Sequence, residues 1–238
     1  MILSGKVAVI SGASRGIGRA AAKRFAHEGA VVCLCARHVE QLRNLSLEIM
    51  SAGGRSMFEQ TDVSDESQVK EFLSLCQSNF GHLDILINNA GLLGPRVPLA
   101  DYSSQEWAKV LSVNLNGLFY MTKHALPFFK PSGGSIINVS SSVGKIAKPN
   151  WGAYGISKFA TEGYTQALAE ELRSRKIRVN AVNPGAVATE MRRQAFPDED
   201  QRTLRKPEDV LDAFVYLASD ESKHLTGKSF DAQHFKKG

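Results

Sequence analysis

Short apolar runs of strand length alternate with amphipathic segments along the whole chain, and this alternation constrains the fold more than any other feature. The runs fall at Val7–Ile10, Ala30–Ala36, Ser56–Gln60, Leu83–Asn88, Ser135–Ser140, Ile177–Val182 and Lys228–Asp231, the third and last being the weakest. Between them lie amphipathic segments at Ile17–Glu28, Val39–Ala52, Glu66–Phe80, Ser104–Phe129, Ala153–Arg173 and Glu208–Ser219. Strands that alternate with helices predict a parallel sheet of about seven strands with helices on both faces, an α/β architecture. Right-handed crossovers make such a sheet doubly wound, with its ligand site beyond the carboxyl ends of the strands. A chain of 238 residues suits one such domain, spanning 1–238.

Punctuation agrees with these boundaries. Gly29, Gly53 with Gly54, and Gly81 each follow a helical pattern where a left-handed residue closes a helix. Pro207, followed by Glu208 and Asp209, opens the last helix with proline at its first position and acids in its first turn. The least regular stretch, Pro184–Lys206, reads as a surface loop with a short helix, and residues 186–206 form the expected substrate loop.

Other features exclude function classes. The formal net charge of +5 suits phosphate-bearing ligands, but the Lys and Arg residues are scattered, so neither nucleic acid nor a membrane surface is an expected partner. Cys33, Cys35 and Cys76 make no disulfide framework and have no His at metal-ligand spacing. Cys33 and Cys35 alternate on a strand and should share one buried face, and no metal site is expected. No cleavable leader precedes the first strand and no apolar run spans a bilayer, so a cytoplasmic location is expected.

The first strand runs into Ser11-Gly-Ala-Ser-Arg-Gly-Ile-Gly18 and then a helix. Gly12, Gly16 and Gly18 let the backbone approach a pyrophosphate, while the helix N-terminus supplies N–H groups and the positive dipole end. Ser14, Arg15 and Ile17 belong to the same expected cofactor contacts. The spacing is G-x-x-x-G-x-G and not the commoner G-x-G-x-x-G, and no Gly-Lys-Ser/Thr follows to make a nucleoside-triphosphate loop. The second strand ends Cys35-Ala36-Arg37, where an acid would grip the ribose of NAD. Arg37 there, with Arg15 in the turn, favours the 2′-phosphate of NADP(H) over NAD(H).

The stretch Ser141–Lys158 carries the chemistry. Tyr154 and Lys158 lie at i and i+4, on one helical face, with Ser141 thirteen residues before the tyrosine. A phenol beside an ammonium makes a proton-donating pair, because the positive charge favours the phenolate and lowers the phenol's pKa.

Taken together these residues resemble the short-chain dehydrogenase/reductase family, in its branch of about 250 residues, from end to end. The match rests on the glycine turn, Asp62-Val63 after the third strand, Asn88-Asn-Ala-Gly91 after the fourth, Asn114, Ser141, Tyr154-x-x-x-Lys158 and Pro184-Gly185, all in order. The resemblance implies a Rossmann-type domain in which Tyr154 protonates a carbonyl oxygen, Ser141 hydrogen-bonds it, and Lys158 holds the nicotinamide ribose and depresses the pKa of Tyr154. It implies that Asn114 binds a relay water through its backbone carbonyl in a kinked helix. It further implies that Asp62 and Val63 contact adenine, that Asn89, Ala90 and Gly91 line the cofactor, and that Pro184, Gly185, Val187 and Thr189 meet its carboxamide end. The family's interval selects Ser141 from the run Ser140–Ser142, and strand alternation turns its two neighbours to the other face.

The chain departs from the family at two places. Ser11 replaces the usual Thr, and the ending Phe230-Asp-Ala-Gln233 replaces Asp-Gly-Gly, which removes support for the tail-mediated half of a homotetramer and makes a homodimer the safer expectation. Trp151–Gly163, Ala195–Asp200 and the tail resemble a bacterial subgroup of uncharacterised members. The reading is an NADP(H)-dependent oxidoreductase acting on a small carbonyl or alcohol substrate, most simply a ketone or aldehyde reductase of carbonyl or 3-oxoacyl type. An NAD-dependent alcohol dehydrogenase is the alternative enzyme, and a non-catalytic dinucleotide-binding sensor is the alternative of another class. Met191, Arg192, Arg193, Ala195 and Phe196 would flank the substrate, with the arginines attracting an acidic one. Trp151 is a candidate wall beside it.

Overall fold

In the computed structural model, which describes residues 1–236, seven parallel strands form one sheet. They are β1 (Val7–Ser11), β2 (Val31–Ala36), β3 (Arg55–Gln60), β4 (Ile85–Asn88), β5 (Gly134–Val139), β6 (Ile177–Asn183) and β7 (Ser229–Asp231). Their order is β3-β2-β1-β4-β5-β6-β7, so the chain moves outward on one side of β1 and then reverses to β4 on the other. That reversal opens a crevice beyond the carboxyl ends of β1 and β4, where open α/β sheets bind ligands. β1, β2, β4 and β6 are buried at every position, which is why they read as continuous apolar runs. The edge strands β3 and β7 carry Arg55, Glu59, Gln60 and Ser229 on exposed positions, and their sequence signal is correspondingly weak.

Helices α1 (Gly16–His27), α2 (Val39–Ser51) and α8 (Asp212–Ala218) cover one face, packing Phe25, Leu42, Leu45 and Phe214 against Ile10 and Leu34. The other face carries α3 (Glu66–Phe80), α5 (Gly117–Ala125) and α6 (Gly152–Glu171), with Phe72, Met121 and Leu168 against Val9, Leu86 and Ile136. Cys33, Cys35 and Cys76 meet in this second core as buried free thiols, on the shared face the sequence predicts. No helix among the described residues is long and apolar enough to cross a membrane.

The single segment expected over Ser104–Phe129 is divided. It contains α4 (Ser104–Leu111), a π turn at Ser112–Asn116, α5, and a 3-10 turn at Leu126–Phe128. A π turn inserts a wider ring into the ladder and is one of the identifiable causes of a bent helix. The last helix is likewise split, into a 3-10 turn at Pro207–Val210 and α8, with Pro207 in the first turn as expected. Gly29, Gly53 and Gly81 have positive φ, whereas Gly54 does not. α7 (Glu190–Ala195) is the short helix in the loop after β6.

Several polar groups buried in the sheet are tied together in local sets, although Asn88 Oδ1 has no partner among the described residues. Asn88 Nδ2 donates to Thr122 Oγ1 and Asn138 Oδ1, and Asn138 Nδ2 donates to Thr165 Oγ1, which joins β4, β5, α5 and α6. Arg178 on β6 donates to Leu217 O, Ser219 O, Ser222 O and Ser222 Oγ, all within 3.2 Å, closing the turn after α8. Arg178→Met removes these four bonds, with Ser135 Oγ remaining as a donor to Leu217 O, and should destabilise the fold by about 2–4 kcal/mol, measured by urea unfolding. A loss well under about 1 kcal/mol would mean that water replaces the guanidinium at little cost.

Candidate active site

The site begins at the exit of β1. Ser11 Oγ accepts from the N–H groups of Asn89 and Ala90, each at 3.1 Å, and donates to Ile87 O at 3.3 Å. Asn89 Nδ2 returns the tie by donating to Ser11 O and Gly12 O at 3.0 and 3.1 Å. The serine hydroxyl therefore rivets the glycine turn to the end of β4. A Cβ at Gly12 would lie 2.8 Å from Ala90 Cα, and one at Gly18 would lie 2.4 Å from Gly12 O. Both positions therefore exclude any side chain. Arg15 occupies the N-cap of α1 without a capping side-chain bond, and the first turn holds no acid. Such an uncapped N-terminus suits an anion.

A cavity of about 590 Å³ runs along this crevice. Gly12, Ser14, Arg15, Gly16 and Ile17 line one end, beside Arg37, Asp62 and Val63. Asn89, Ala90 and Gly91 form its middle, with Pro184, Gly185, Val187 and Thr189 on the opposite wall and Ser141, Tyr154 and Lys158 beyond. Of the residues expected to carry catalysis or bind the cofactor, Gly18 and Asn114 do not line it, and Phe196, expected beside the substrate, does not either. Arg15 and Arg37 are exposed and form no ion pair with an acid among the described residues, whereas Arg19 and Lys23, which also line the cavity, are held by Glu48 at 2.6 and 3.2 Å. Asp62 Oδ1 accepts from Ser64 N and Oγ, so its carboxylate shapes the turn after β3.

Tyr154 and Lys158 stand on successive turns of α6, both buried. Burial pushes the Tyr154 phenol up from its ordinary value, and a hydrogen bond with Ser141 opposes that rise. Lys158 Nζ donates to Val139 O at 2.7 Å and lies 5.6 Å from the Tyr154 ring centroid. Burial pulls the lysine down to about 8. In this arrangement Ser141 provides the effect that opposes the rise, while the Lys158 ammonium is turned to the end of β5. Ser140, the residue just after the end of β5, also borders the cavity. Its Oγ is buried without a hydrogen-bond partner.

Asn114 sits in the π turn, where its side chain clamps the chain leaving β4. Oδ1 accepts from Leu92 N at 2.7 Å, and Nδ2 donates to Leu92 O and Ser157 Oγ. The sequence pointed to its backbone carbonyl; the structure gives its amide a second task. Asn114 and Lys158 share a small internal cavity of about 10 Å³, at the lower bound for a single water centre.

The far wall contains residues the sequence did not single out. Arg96 stacks between Trp151 and Phe196, with its guanidinium carbon 4.5 and 4.8 Å from the ring centroids, and donates to Ala195 O. Trp151 in turn lies 5.7 Å from Tyr154. Arg192 and Arg193, expected to attract an acidic substrate, are instead paired with Glu199 and Glu190. Arg96 falls five residues after Gly91, in a proline-containing loop with no period to mark it, and only its stacking shows what it does.

Residues 6–200 match the short chain dehydrogenase family model, and the chain belongs to that family. Among its relatives is an uncharacterised oxidoreductase, YciK of Escherichia coli K12, 40% identical over 237 residues that cover 98% of this chain and 93% of the relative. The 3-oxoacyl-[acyl-carrier-protein] reductase FabG of Thermotoga maritima is 37% identical, covering 96% of each. A crystal structure of a short chain dehydrogenase from Shigella flexneri 2a strain 301, complexed with NADP, superposes with a TM-score of 0.94 at 39% identity, covering 98% of both chains.

The buried lysine has a pH signature. Its folded pKa is below the unfolded value, so the unfolded state binds the proton more tightly between about pH 8 and 10.5. The stability of the wild type relative to Lys158→Met should therefore rise as pH increases through that window and be level below it. Paired denaturant unfolding curves at several pH values check this; a flat difference would mean that Lys158 is not desolvated in solution.

Proposed function

We propose that the protein is an NADP(H)-dependent carbonyl reductase of the short chain dehydrogenase family, reducing a ketone or aldehyde of carbonyl or 3-oxoacyl type. One observation carries the reading: a single cavity joins the uncapped, glycine-cleared turn and two arginines with no ion pair among the described residues to a wall of half-buried Ser141 and buried Tyr154 and Lys158. The NADP complex of the Shigella relative and the reductase from Thermotoga support the choice of cofactor and reaction class.

In this reading the first-turn N–H groups of α1 and the glycine turn hold the pyrophosphate, and Arg15 and Arg37 flank the 2′-phosphate. Val63 walls the adenine, and Pro184–Thr189 borders the nicotinamide. When bound, the dinucleotide supplies the hydride. Ser141 donates to the substrate carbonyl oxygen and keeps it beside Tyr154, whose phenol gives its proton to that oxygen as negative charge develops. Burial keeps the phenol protonated at neutral pH, which suits a proton donor. Lys158, predominantly protonated below its value of about 8, places positive charge near the phenolate that remains. The Asn114–Lys158 cavity offers a place for a water that returns the proton. Residues 186–206 would form the substrate loop, with Met191 in the same apolar cluster as Trp151.

NADPH oxidation against a panel of diketones, quinones and acyl thioesters tests the class. Tyr154→Phe should reduce kcat by about 10³-fold or more while NADPH still binds. Equal turnover by that variant would remove Tyr154 from the role of acid. Arg37→Asp should lower kcat/KM for NADPH by about tenfold or more and shift preference toward NADH, as one charge-assisted contact becomes a repulsion. An unchanged NADPH to NADH ratio would show that Arg37 does not read the 2′-phosphate.

A further inference from the structure

The C-terminal tail, whose ending departs from the family pattern, packs onto the chain leaving β6. β6 and β7 pair with Asn183 opposite Asp231. Asn183 Nδ2 donates to Asp231 Oδ1 at 2.7 Å, while its Oδ1 accepts from Gly185 N at 3.1 Å. Two residues on, Gln233 Nε2 donates to Ala186 O at 2.6 Å. The Gln233 amide also lies flat on Gly185: a Cβ there would be 2.6 Å from Nε2, and the positive φ of 73° already disfavours one. Pro184, Gly185 and Val187, the residues held in this way, line the cavity.

Lys145, four residues beyond Ser141, donates to the same Asp231 Oδ1 at 3.0 Å. One carboxylate oxygen thereby joins the exits of β5 and β6. The Lys145–Asp231 pair is exposed enough for solvent to screen it, and pairs of this kind contribute little. Gln233 is the stronger tie, because its bond is partly buried and supports a backbone carbonyl within the segment.

We propose that Gln233 and Asp231 are positioning residues that set the conformation of Pro184–Val187 and through it the seat of the nicotinamide half of the cofactor. This rests on the cofactor reading above. It gives the unusual tail a task within one subunit, separate from assembly.

The test compares two ligands by fluorescence titration: NADPH, and adenosine 2′,5′-bisphosphate, which lacks the nicotinamide. Gln233→Ala and the isosteric Gln233→Glu, which loses the donor to Ala186 O, should each weaken NADPH by about three- to tenfold and leave the bisphosphate within about twofold. Asp231→Ala should act in the same direction, and Lys145→Ala should change neither ligand beyond about twofold. Equal weakening of both ligands by the two Gln233 variants would overturn the proposal, since it would report general damage to the fold. No change in NADPH would overturn it as well, showing the segment to be self-supporting. If the wild type bound neither ligand, the cofactor reading itself would fail and this role with it.

Discussion

Everything at the site depends on one close approach, that of the first turn of α1 to the end of β1. Gly18 comes so near Gly12 O that no side chain fits between them, and the Asn89 amide occupies what little space remains by bonding Ser11 O and Gly12 O. Ser11 completes the arrangement from the other side by accepting two N–H groups of the chain leaving β4. These bonds fix the relative height of the two loops that flank the crevice. The helix N-terminus, the floor formed by Asn89–Gly91 and the lysine beyond them then face a common space. Replacing the family's threonine with Ser11 keeps the hydroxyl that this geometry requires.

Within that space, desolvation dominates the electrostatics. Burial raises Tyr154 and lowers Lys158, so each group is pushed toward its neutral form. A hydrogen bond with Ser141 opposes the first trend, and the negative charge of Glu162 opposes the second. The result is a protonated phenol beside a lysine whose charge is held only modestly above neutral pH. Such a pair responds strongly to any new charge or hydroxyl brought next to it, which is what a proton-transfer site requires.

The alternation of runs was enough to read the sheet, its parallel sense and both core faces, because β1, β2, β4 and β6 are buried on both sides and are mostly apolar, with Arg178 and Asn180 the interior exceptions on β6. What could not be read depended on side chains meeting across long separations. The period of 3.6 continues through Ser112–Asn116, so nothing local marks the π turn; Asn114 reaching Leu92 and Ser157 is visible only in three dimensions. The tail was legible as a departure from a pattern, yet its contacts with Gly185 and Ala186 span 47 or more positions and have no sequence period. Spacing along a helix put Lys158 beside Tyr154, but the bond from its ammonium to Val139 O, nineteen positions away, is visible only in three dimensions.

Charge around the cavity is graded, and the gradient separates cofactor recognition from substrate recognition. At the glycine end Arg15 and Arg37 have no acid to pair with, so their charge is available to a phosphate. At the opposite end Arg192 and Arg193 are satisfied by Glu199 and Glu190, and Arg96 lies between two aromatic rings with Ala195 O as an acceptor. The rim that looks basic in sequence is therefore neutralised where a substrate would enter, and the surfaces left there are those of Leu93, Trp151 and Met191. Such a wall selects a substrate by shape and apolar area more than by charge. The net charge of +5 thus bears on the proposed dinucleotide, and the reacting molecule is chosen by the rings.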